Sequence, residues 1–351
     1  MKIELMLEEV VKKVASDLHI QVGLPPMLRV DGALTPIRDA PVLKPEDVER
    51  LVLSVLDDEQ QAIFEKDKEI DTSFSFGEYG RFRVNAFHER GNCAAALRLI
   101  PTKIPSLQEL GLPKVVSSFA DFPRGLVLVT GPTGSGKSTT LASLVEKINS
   151  EQAKHIITIE DPIEYSHHSK KSIVVQREIH FDTYSFGNAL RSSLREDPDV
   201  VLVGEMRDLE TISSAITLAE TGHLVLATLH TNGAAQSIDR MIDVFPPFQQ
   251  QQVRVQVASM LQAICSQRLV PKIAGGRIAA AEILVVTPAA RNIIREGKTH
   301  QLDSVIQTGV EDGMQSMDRT LVSLIHNGTI TYEEAKNVAI DIDELDRLMR
   351  A

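Results

Sequence analysis

Residues 125–140 constrain the fold more than any other part of the chain. They read Gly-Leu-Val-Leu-Val-Thr-Gly-Pro-Thr-Gly-Ser-Gly-Lys-Ser-Thr-Thr, an apolar run that meets a glycine-rich turn and then a lysine followed by hydroxyls. Gly131 to Ser138 match G-x-x-x-x-G-K-[ST], the pattern of a phosphate-binding loop. Gly131, Gly134 and Gly136 let the backbone turn tightly and aim its N–H groups at phosphate oxygens, because glycine reaches positive φ without a Cβ clash. Pro132, Thr133 and Ser135 fill the positions between them, and Thr139 continues the cradle. Lys137 supplies a point charge to the β- and γ-phosphates, and Ser138 offers a hydroxyl to Mg²⁺, which prefers hard oxygen ligands. Leu141, Leu144, Val145 and Ile148 then recur at helical spacing. The loop therefore opens a helix, whose N-terminal dipole adds to anion binding.

A length of 351 residues predicts about two domains, and the pattern of elements shows where they part. Residues 1–100 read as a small α+β unit. A helical pattern over 3–14 is followed by strands at 17–22 and 28–30, a hairpin signal at Asp31-Gly32, two short amphipathic helices within 45–64, and strands at 71–76, 80–88 and 93–100. Turns fall at Gly77-Glu78-Tyr79 and at residues 89–92. In the strand over 80–88, alternation puts Phe82, Val84 and Ala86 on one face and Arg81, Arg83 and Asn85 on the other. Residues 101–123 carry Pro101, Pro105, Pro113 and Pro123 and read as a linker. Residues 124–351 alternate strands with helices. The near-continuous apolar runs at 126–130, 154–159, 200–203 and 224–229 belong to a parallel sheet buried on both faces, with helices at 138–148, 185–195 and 209–220 between them. Further helices are predicted over 234–244, 249–267, 288–296, 316–326 and 332–338. The fold class is α/β.

The charge balance narrows the partners. Forty-eight acidic against 37 basic residues give a net charge of -11, which argues against direct nonspecific binding of nucleic acid. Cys93 and Cys265 lie far apart with no metal-type partner pair, so they read as reduced thiols of a cytoplasmic protein. The N-terminus shows no secretory apolar region, and the most apolar stretch, 278–290, is short and interrupted by Glu282. Membrane association is therefore expected only through a partner.

A phosphate loop leaves the reaction open among kinases, GTPases and ATPases, so acids at the ends of neighbouring strands must decide. One cluster, Ile159-Glu-Asp-Pro-Ile-Glu164, follows a buried strand, and its carboxylates can orient a water or hold Mg²⁺ through water. The other, Val200-Val-Leu-Val-Gly-Glu205-Met-Arg-Asp208, ends an apolar strand at the position of a Walker B acid, so Glu205 is expected to face the metal. The alternative for both is strand or helix capping. His223 and His230 bracket the strand at 224–229. His230 lies at its C-terminal end, where a sensing or relay role is open, whereas packing alone explains His223. Arg191 and Arg195, spaced i, i+4, form either a solvated face or an interface device. Thr287 and Pro288 are the N-cap and first position of a helix on which Arg291 and Arg295 share a face.

The loop at Gly131, the acidic box 159–164, the Val203-Gly-Glu-Met-Arg-Asp segment and the histidine-flanked strand at 223–230 together resemble the type II/type IV secretion ATPase superfamily, over nearly the whole chain. Within it, Phe82-Arg-Val-Asn-Ala-Phe87 and Ala289-Ala-Arg-Asn-Ile-Ile-Arg-Glu296 are most similar to the retraction ATPases of type IV pili. The resemblance implies a PAS-like N-terminal domain and a RecA-like P-loop ATPase domain in a cytoplasmic homohexamer. That ring would act on an inner-membrane pilus platform protein at the inner face of the membrane. It further implies ATP and Mg²⁺ at Lys137 and Ser138, Glu164 as general base, Glu205 at the metal, and Arg83 and Arg98, with Arg81, as arginine fingers. The competing reading is a DNA-dependent RecA-like or transfer-apparatus ATPase. A small-molecule kinase would need an acceptor pocket and a lid, for which no motif is evident.

Overall fold

In a computed structural model, the structure describes residues 2–30, 32–77, 80–100 and 103–350. Asp31 of the predicted hairpin, Glu78 and Tyr79 of the predicted turn, and Pro101 of the predicted linker lie outside the described residues. The chain divides into two compact units, Met1–Lys103 and Ile104–Ala351.

The first unit runs α1 (Ile3–Lys12), β1 (Asp17–Ile20), β2 (Met27–Val30), β3 (Ala33–Pro36), α2 (Pro45–Leu53), α3 (Asp58–Asp67), β4 (Glu69–Ser75), β5 (Arg81–Glu89) and β6 (Asn92–Ile100). Its sheet has the order β3-β2-β1-β6-β5-β4, antiparallel throughout. Ile3, Met6, Leu7 and Val10 recur at i, i+3, i+4 and i+7, so α1 presents one apolar stripe. That stripe joins Val48, Leu51, Val52 and Phe64 of α2 and α3 in a core with Leu18, Leu28, Phe82, Val84, Ala86 and Leu97. The alternation along β5 is as the sequence predicts, with Phe82, Val84 and Ala86 wholly buried. A small antiparallel sheet with helices against it is the PAS-like unit.

The second unit continues with α4 (Lys114–Ser118), β7 (Gly125–Thr130), α5 (Lys137–Glu151), β8 (His155–Glu160), β9 (Ile173–Glu178), α6 (Phe186–Ser193), β10 (Val200–Val203), α7 (Leu209–Glu220) and β11 (Leu224–Leu229). It then runs α8 (Ala234–Asp243), α9 (Pro247–Met260), β12 (Leu261–Pro271), β13 (Arg277–Val285), α10 (Pro288–Glu296), α11 (Leu302–Thr308), α12 (Met317–His326), α13 (Tyr332–Val338) and α14 (Ile342–Arg350). The sheet order is β13-β12-β7-β11-β10-β8-β9, parallel except for β13. Every residue of β7, β10 and β11 is buried, because helices cover both faces. Leu126, Leu128, Val201 and Val203 face a core with α6 to α10, whereas Val127, Val129, Val200 and Leu202 face one with α4 and α5. Val270 and Ala280 carry a smaller core with α12 to α14.

One sequence expectation is corrected here. The helix predicted over 249–267 stops at Met260, and Leu261–Pro271 is a strand hydrogen-bonded to β7 on one side and β13 on the other. The apolar stretch at 278–290 is β13 followed by the start of α10, and among the described residues no helix is long and apolar enough to cross a membrane. A short apolar run reads equally as strand or buried helix from periodicity, and here no glycine or proline marks the change of period.

Candidate functional site: a phosphate loop facing two strand-end carboxylates

At the end of β7 the chain turns at Gly131 with φ +142°, where a Cβ would stand 2.2 Å from the carbonyl oxygen of Gln267 and 2.6 Å from Ser135 Oγ. No other residue fits that approach. Gly136, left-handed at φ +88°, is the N-cap of α5. Lys137 is the first residue of α5 and folds back across the loop, its Nζ donating to the carbonyl oxygens of Gly131 at 3.0 Å and Pro132 at 3.1 Å. Burial pushes its pKa down, against the pull of Glu205 and Glu164, which favour the charged form. The ammonium shares its cleft with both carboxylates.

The next two residues of α5 hold the loop that follows β8. Ser138 Oγ donates to Glu164 Oε1 at 2.8 Å, and Thr139 Oγ1 lies 2.9 Å from the Tyr165 hydroxyl. Glu160 at the end of β8 turns elsewhere. Its Oε1 accepts from Thr158 Oγ1 at 2.6 Å and from Gln176 Nε2 at 3.2 Å, and desolvation pushes its pKa up to about 7. The peptide between Asp161 and Pro162 is cis. The two carboxylates of this box thus differ in kind: Glu164 meets the phosphate loop, while Glu160 is held by the sheet.

Beyond β10, Gly204 lets the chain pass Glu160, since a Cβ there would lie 3.2 Å from the Ile159 carbonyl oxygen and 3.3 Å from Glu160 Cα. Glu205 Oε1 lies 3.1 Å from His230 Nε2 at the end of β11 and also pairs with Arg207. His223, at the other end of β11, places Nδ1 2.9 Å from the Leu218 carbonyl oxygen and 3.1 Å from Thr221 Oγ1, a local arrangement remote from the loop. Asp208 caps α7, its Oδ1 accepting from Thr211 N at 2.8 Å, so capping explains this acid but not Glu205.

These groups meet in one cleft of about 470 Å³, lined among others by Thr133, Gly134, Gly136, Lys137, Ser138, Thr139, Glu164, Glu205 and His230. Pro132 and Ser135 line an adjoining cavity on the outer flank of the loop, and Gly131 acts as the turn. Arg83 and Arg98 belong to the first unit, where they are cross-strand neighbours on β5 and β6. Arg83 pairs with Asp71, its Nε donating to Oδ1 at 3.0 Å, and Arg98 Nε donates to Asp17 Oδ1 at 2.8 Å. Arg81 bonds to Ser73 Oγ through Nε at 3.0 Å and Nη2 at 2.6 Å. Arg191 pairs with Glu210 and Asn188.

Sequence reasoning missed Gln267 and Gln176. Gln267 Oε1 accepts from Thr140 Oγ1 at 3.0 Å and its Nε2 donates to the Ser135 carbonyl oxygen at 2.8 Å, tying β12 to the phosphate loop. Gln176 Nε2 also donates to the Tyr165 carbonyl oxygen at 2.8 Å, and its Oε1 accepts from His167 N at 2.8 Å. The available signal was a glutamine inside an otherwise apolar run, which pairs with a partner when buried. The donors suit Mg²⁺, since the Ser138 hydroxyl stands beside the Glu164 carboxylate at a helix N-terminus. Among the described residues no group of three or more His, Cys, Asp or Glu could hold a metal ion.

A phosphate loop between a buried parallel strand and its helix, facing carboxylates at the ends of neighbouring strands, defines a RecA-like P-loop ATPase. The chain belongs to the Type II/IV secretion system protein family, whose model matches residues 1–337. It is 52% identical over 328 residues to the type IV pilus retraction ATPase PilT of Pseudomonas aeruginosa, covering 93% of this chain and 95% of that protein. It is also 52% identical over 315 residues to a twitching motility protein of Neisseria gonorrhoeae, covering 90% and 84%. A crystal structure of the pilus retraction motor PilT with bound ADP matches with a TM-score of 0.94 and 50% identity over 99% of both chains.

Proposed function

We propose that this chain is the ATPase motor of type IV pilus retraction, a cytoplasmic homohexamer at the inner face of the membrane that acts on a platform protein there. The observation that carries the chemistry is the 2.8 Å hydrogen bond between Ser138 Oγ and Glu164. It places the hydroxyl that would hold a cation beside the carboxylate that would take a proton from water, at the N-terminus of the helix that would receive the phosphates. In this reading Lys137 exchanges its two loop carbonyls for β- and γ-phosphate oxygens of ATP. Glu164 orients the attacking water and accepts its proton. Glu205, held by His230, directs its charge to the metal side of the site, so that Ser138 and Glu205 would hold Mg²⁺. The ion's part is to neutralise charge developing on the transferred phosphoryl group. His230 senses the phosphate end through Glu205.

Arg83 and Arg98 are proposed as arginine fingers on the family resemblance. Each is already tied to a carboxylate, so engaging a phosphate replaces one anionic partner by another. Gene deletion tests the direction of work: hyperpiliated cells that do not twitch support retraction, and bald cells would assign extension instead. In the purified chain Glu164→Gln should keep ATP binding and lose turnover. Stimulation by single-stranded DNA with a steep salt dependence would favour the DNA-dependent alternative.

A further inference from the structure

Beyond β8 the chain leaves the sheet for residues 161–172 and returns as β9. Glu164 lies in that excursion. Among the described residues, no backbone group of 161–168 bonds to another backbone group. Side chains take up the bonds instead. Ile163 N donates to Glu178 Oε2 at 3.3 Å, and Glu164 N to Glu160 Oε2 at 3.5 Å. Gln176 Oε1 accepts from His167 N at 2.8 Å, while its Nε2 donates to the Tyr165 carbonyl oxygen at 2.8 Å and to Glu160 Oε1 at 3.2 Å. Farther on, Asn149 Nδ2 donates to the His168 carbonyl oxygen at 2.8 Å.

Gln176 uses two donors and an acceptor at one point, a set that among side chains only a primary amide offers. Val174, Gln176 and Glu178 alternate onto one face of β9, the face on which Val174 packs in the core with α5. Gln176 stands opposite Thr158 in the register with β8, and Thr158 Oγ1 donates to the same Glu160 Oε1. The amide therefore ties the end of β8 to the loop that follows it. Glu160, Glu164, Tyr165 and His167 line the cleft, and Gln176 lies behind them, outside the lining. It bonds on both sides of Glu164 in the chain, to Glu160 and to Tyr165 and His167, and leaves Glu164 itself to Ser138. A carboxylate that must meet a water at one angle gains from a backbone held in this way.

We propose that Gln176 is a positioning residue for hydrolysis, fixing the backbone around Glu164 so that its carboxylate stays beside Ser138, without the amide meeting the nucleotide. The inference rests on the reading of Glu164 as the group that takes the proton from water. Steady-state turnover of the full-length chain, with ADP affinity by calorimetry, tests it in Gln176→Leu, Glu164→Gln and the double variant. Gln176→Leu should lower kcat at least about tenfold, because a displacement on the order of 1 Å in a reacting group costs up to about a hundredfold. The KM for ATP and the Kd for ADP should stay within about twofold, since the phosphate loop is untouched. In the Glu164→Gln background the same change should lower the residual turnover by less than about twofold, since the group it positions is already gone. Gln176→Glu keeps the size and the acceptor for His167 N but loses both donors, so it should behave as Gln176→Leu does.

Unchanged kcat in Gln176→Leu would overturn the proposal. A kcat loss matched by an equal weakening of ADP would overturn it too, because it marks a general collapse of the cleft. So would losses that multiply in the double variant, which place the effect of Gln176 elsewhere than at Glu164. Near-normal turnover in Glu164→Gln would remove the reading of Glu164 on which the inference stands, and the proposal with it. If Gln176→Leu does not fold, Gln176→Glu carries the same readings in its place.

Discussion

Replacing Gln267 by leucine keeps the side-chain size and removes both halves of the strut between β12 and the phosphate loop. Gln267 is buried, with 1% exposure, and the groups it serves are buried too, Ser135 at 3% and Thr140 at 1%. The two losses are unequal. The Thr140 hydroxyl can turn back to the carbonyl four residues earlier, at Gly136, as threonines in helices do, whereas the Ser135 carbonyl has no such neighbour to turn to. An unsatisfied buried acceptor costs about 1–3 kcal/mol, so the variant should lose about 2 kcal/mol overall, read as a lower urea midpoint at unchanged slope. Because that carbonyl helps set how the loop aims its N–H groups, ADP affinity should also fall about tenfold. Adding Thr140→Val should cost less than the sum of the single changes, since with Gln267 gone the loss of the Thr140 hydroxyl no longer orphans the buried Gln267 Oε1 that it serves. A loss under about 0.5 kcal/mol with normal ADP affinity would show that the loop holds its shape without β12 and refute the reasoning.

Lys137→Ala should lower turnover at least about a hundredfold with the far-ultraviolet spectrum unchanged, since the ammonium spans the loop and carries none of the core; near-normal turnover would remove the phosphate-loop assignment. Burial holds the Glu282 carboxyl up at about 7 against an ordinary 4.5, so the folded chain binds a proton that the unfolded chain releases between those values. That contribution to stability is fully present below about pH 4.5 and is lost as pH rises through about 7; Glu282→Gln should flatten this part of the thermal-stability profile, and an unchanged slope would contradict it. Arg291 and Arg295 are not equivalent, although they share a helix face in sequence: Arg291 Nη1 donates to the carbonyl oxygens of Ala258 at 2.8 Å and Ser259 at 2.7 Å, and Nη2 donates to Gln262 Oε1 at 3.1 Å. Arg291→Glu should cost about 1–3 kcal/mol, and Arg295→Glu within about 0.5 kcal/mol; equal stability losses would refute the distinction.

The parts of this molecule legible in its sequence are those with a local cause. The phosphate loop announces itself through glycines whose backbone geometry no other residue adopts, and β7, β10 and β11 through apolar runs that only a doubly covered strand produces. The α10 start was equally plain, with Thr287 Oγ1 accepting from Ala290 N at 3.4 Å and Pro288 in the first turn. β12 was hidden because α9 passes directly into it at Leu261 with no breaker residue, so the helical period continues on paper after the backbone has extended. β9 was missed as an edge strand with Ile173 and Val175 exposed, which lacks the apolar run of its neighbours. The acidic box showed where carboxylates lie but not that Glu160 turns to Thr158 and Gln176 while Glu164 turns to Ser138, since tertiary partners decide that choice. The same holds for Arg291, whose partners lie about thirty residues away in the chain.

The paired contacts at the start of α5 connect the cleft to the margin of the sheet. Ser138 and Thr139 grip Glu164 and Tyr165, and Gln176 on the outermost strand, β9, grips the Tyr165 backbone in turn. From the helix that faces the phosphates to the sheet's open rim, the linkage through Thr139, Tyr165 and Gln176 is two hydrogen bonds long. A pull on that rim would reach the Glu164 carboxylate by displacing one short loop, with no need to reshape the sheet. In a machine that works against a load, this margin gives an outside force a short path to the cleft.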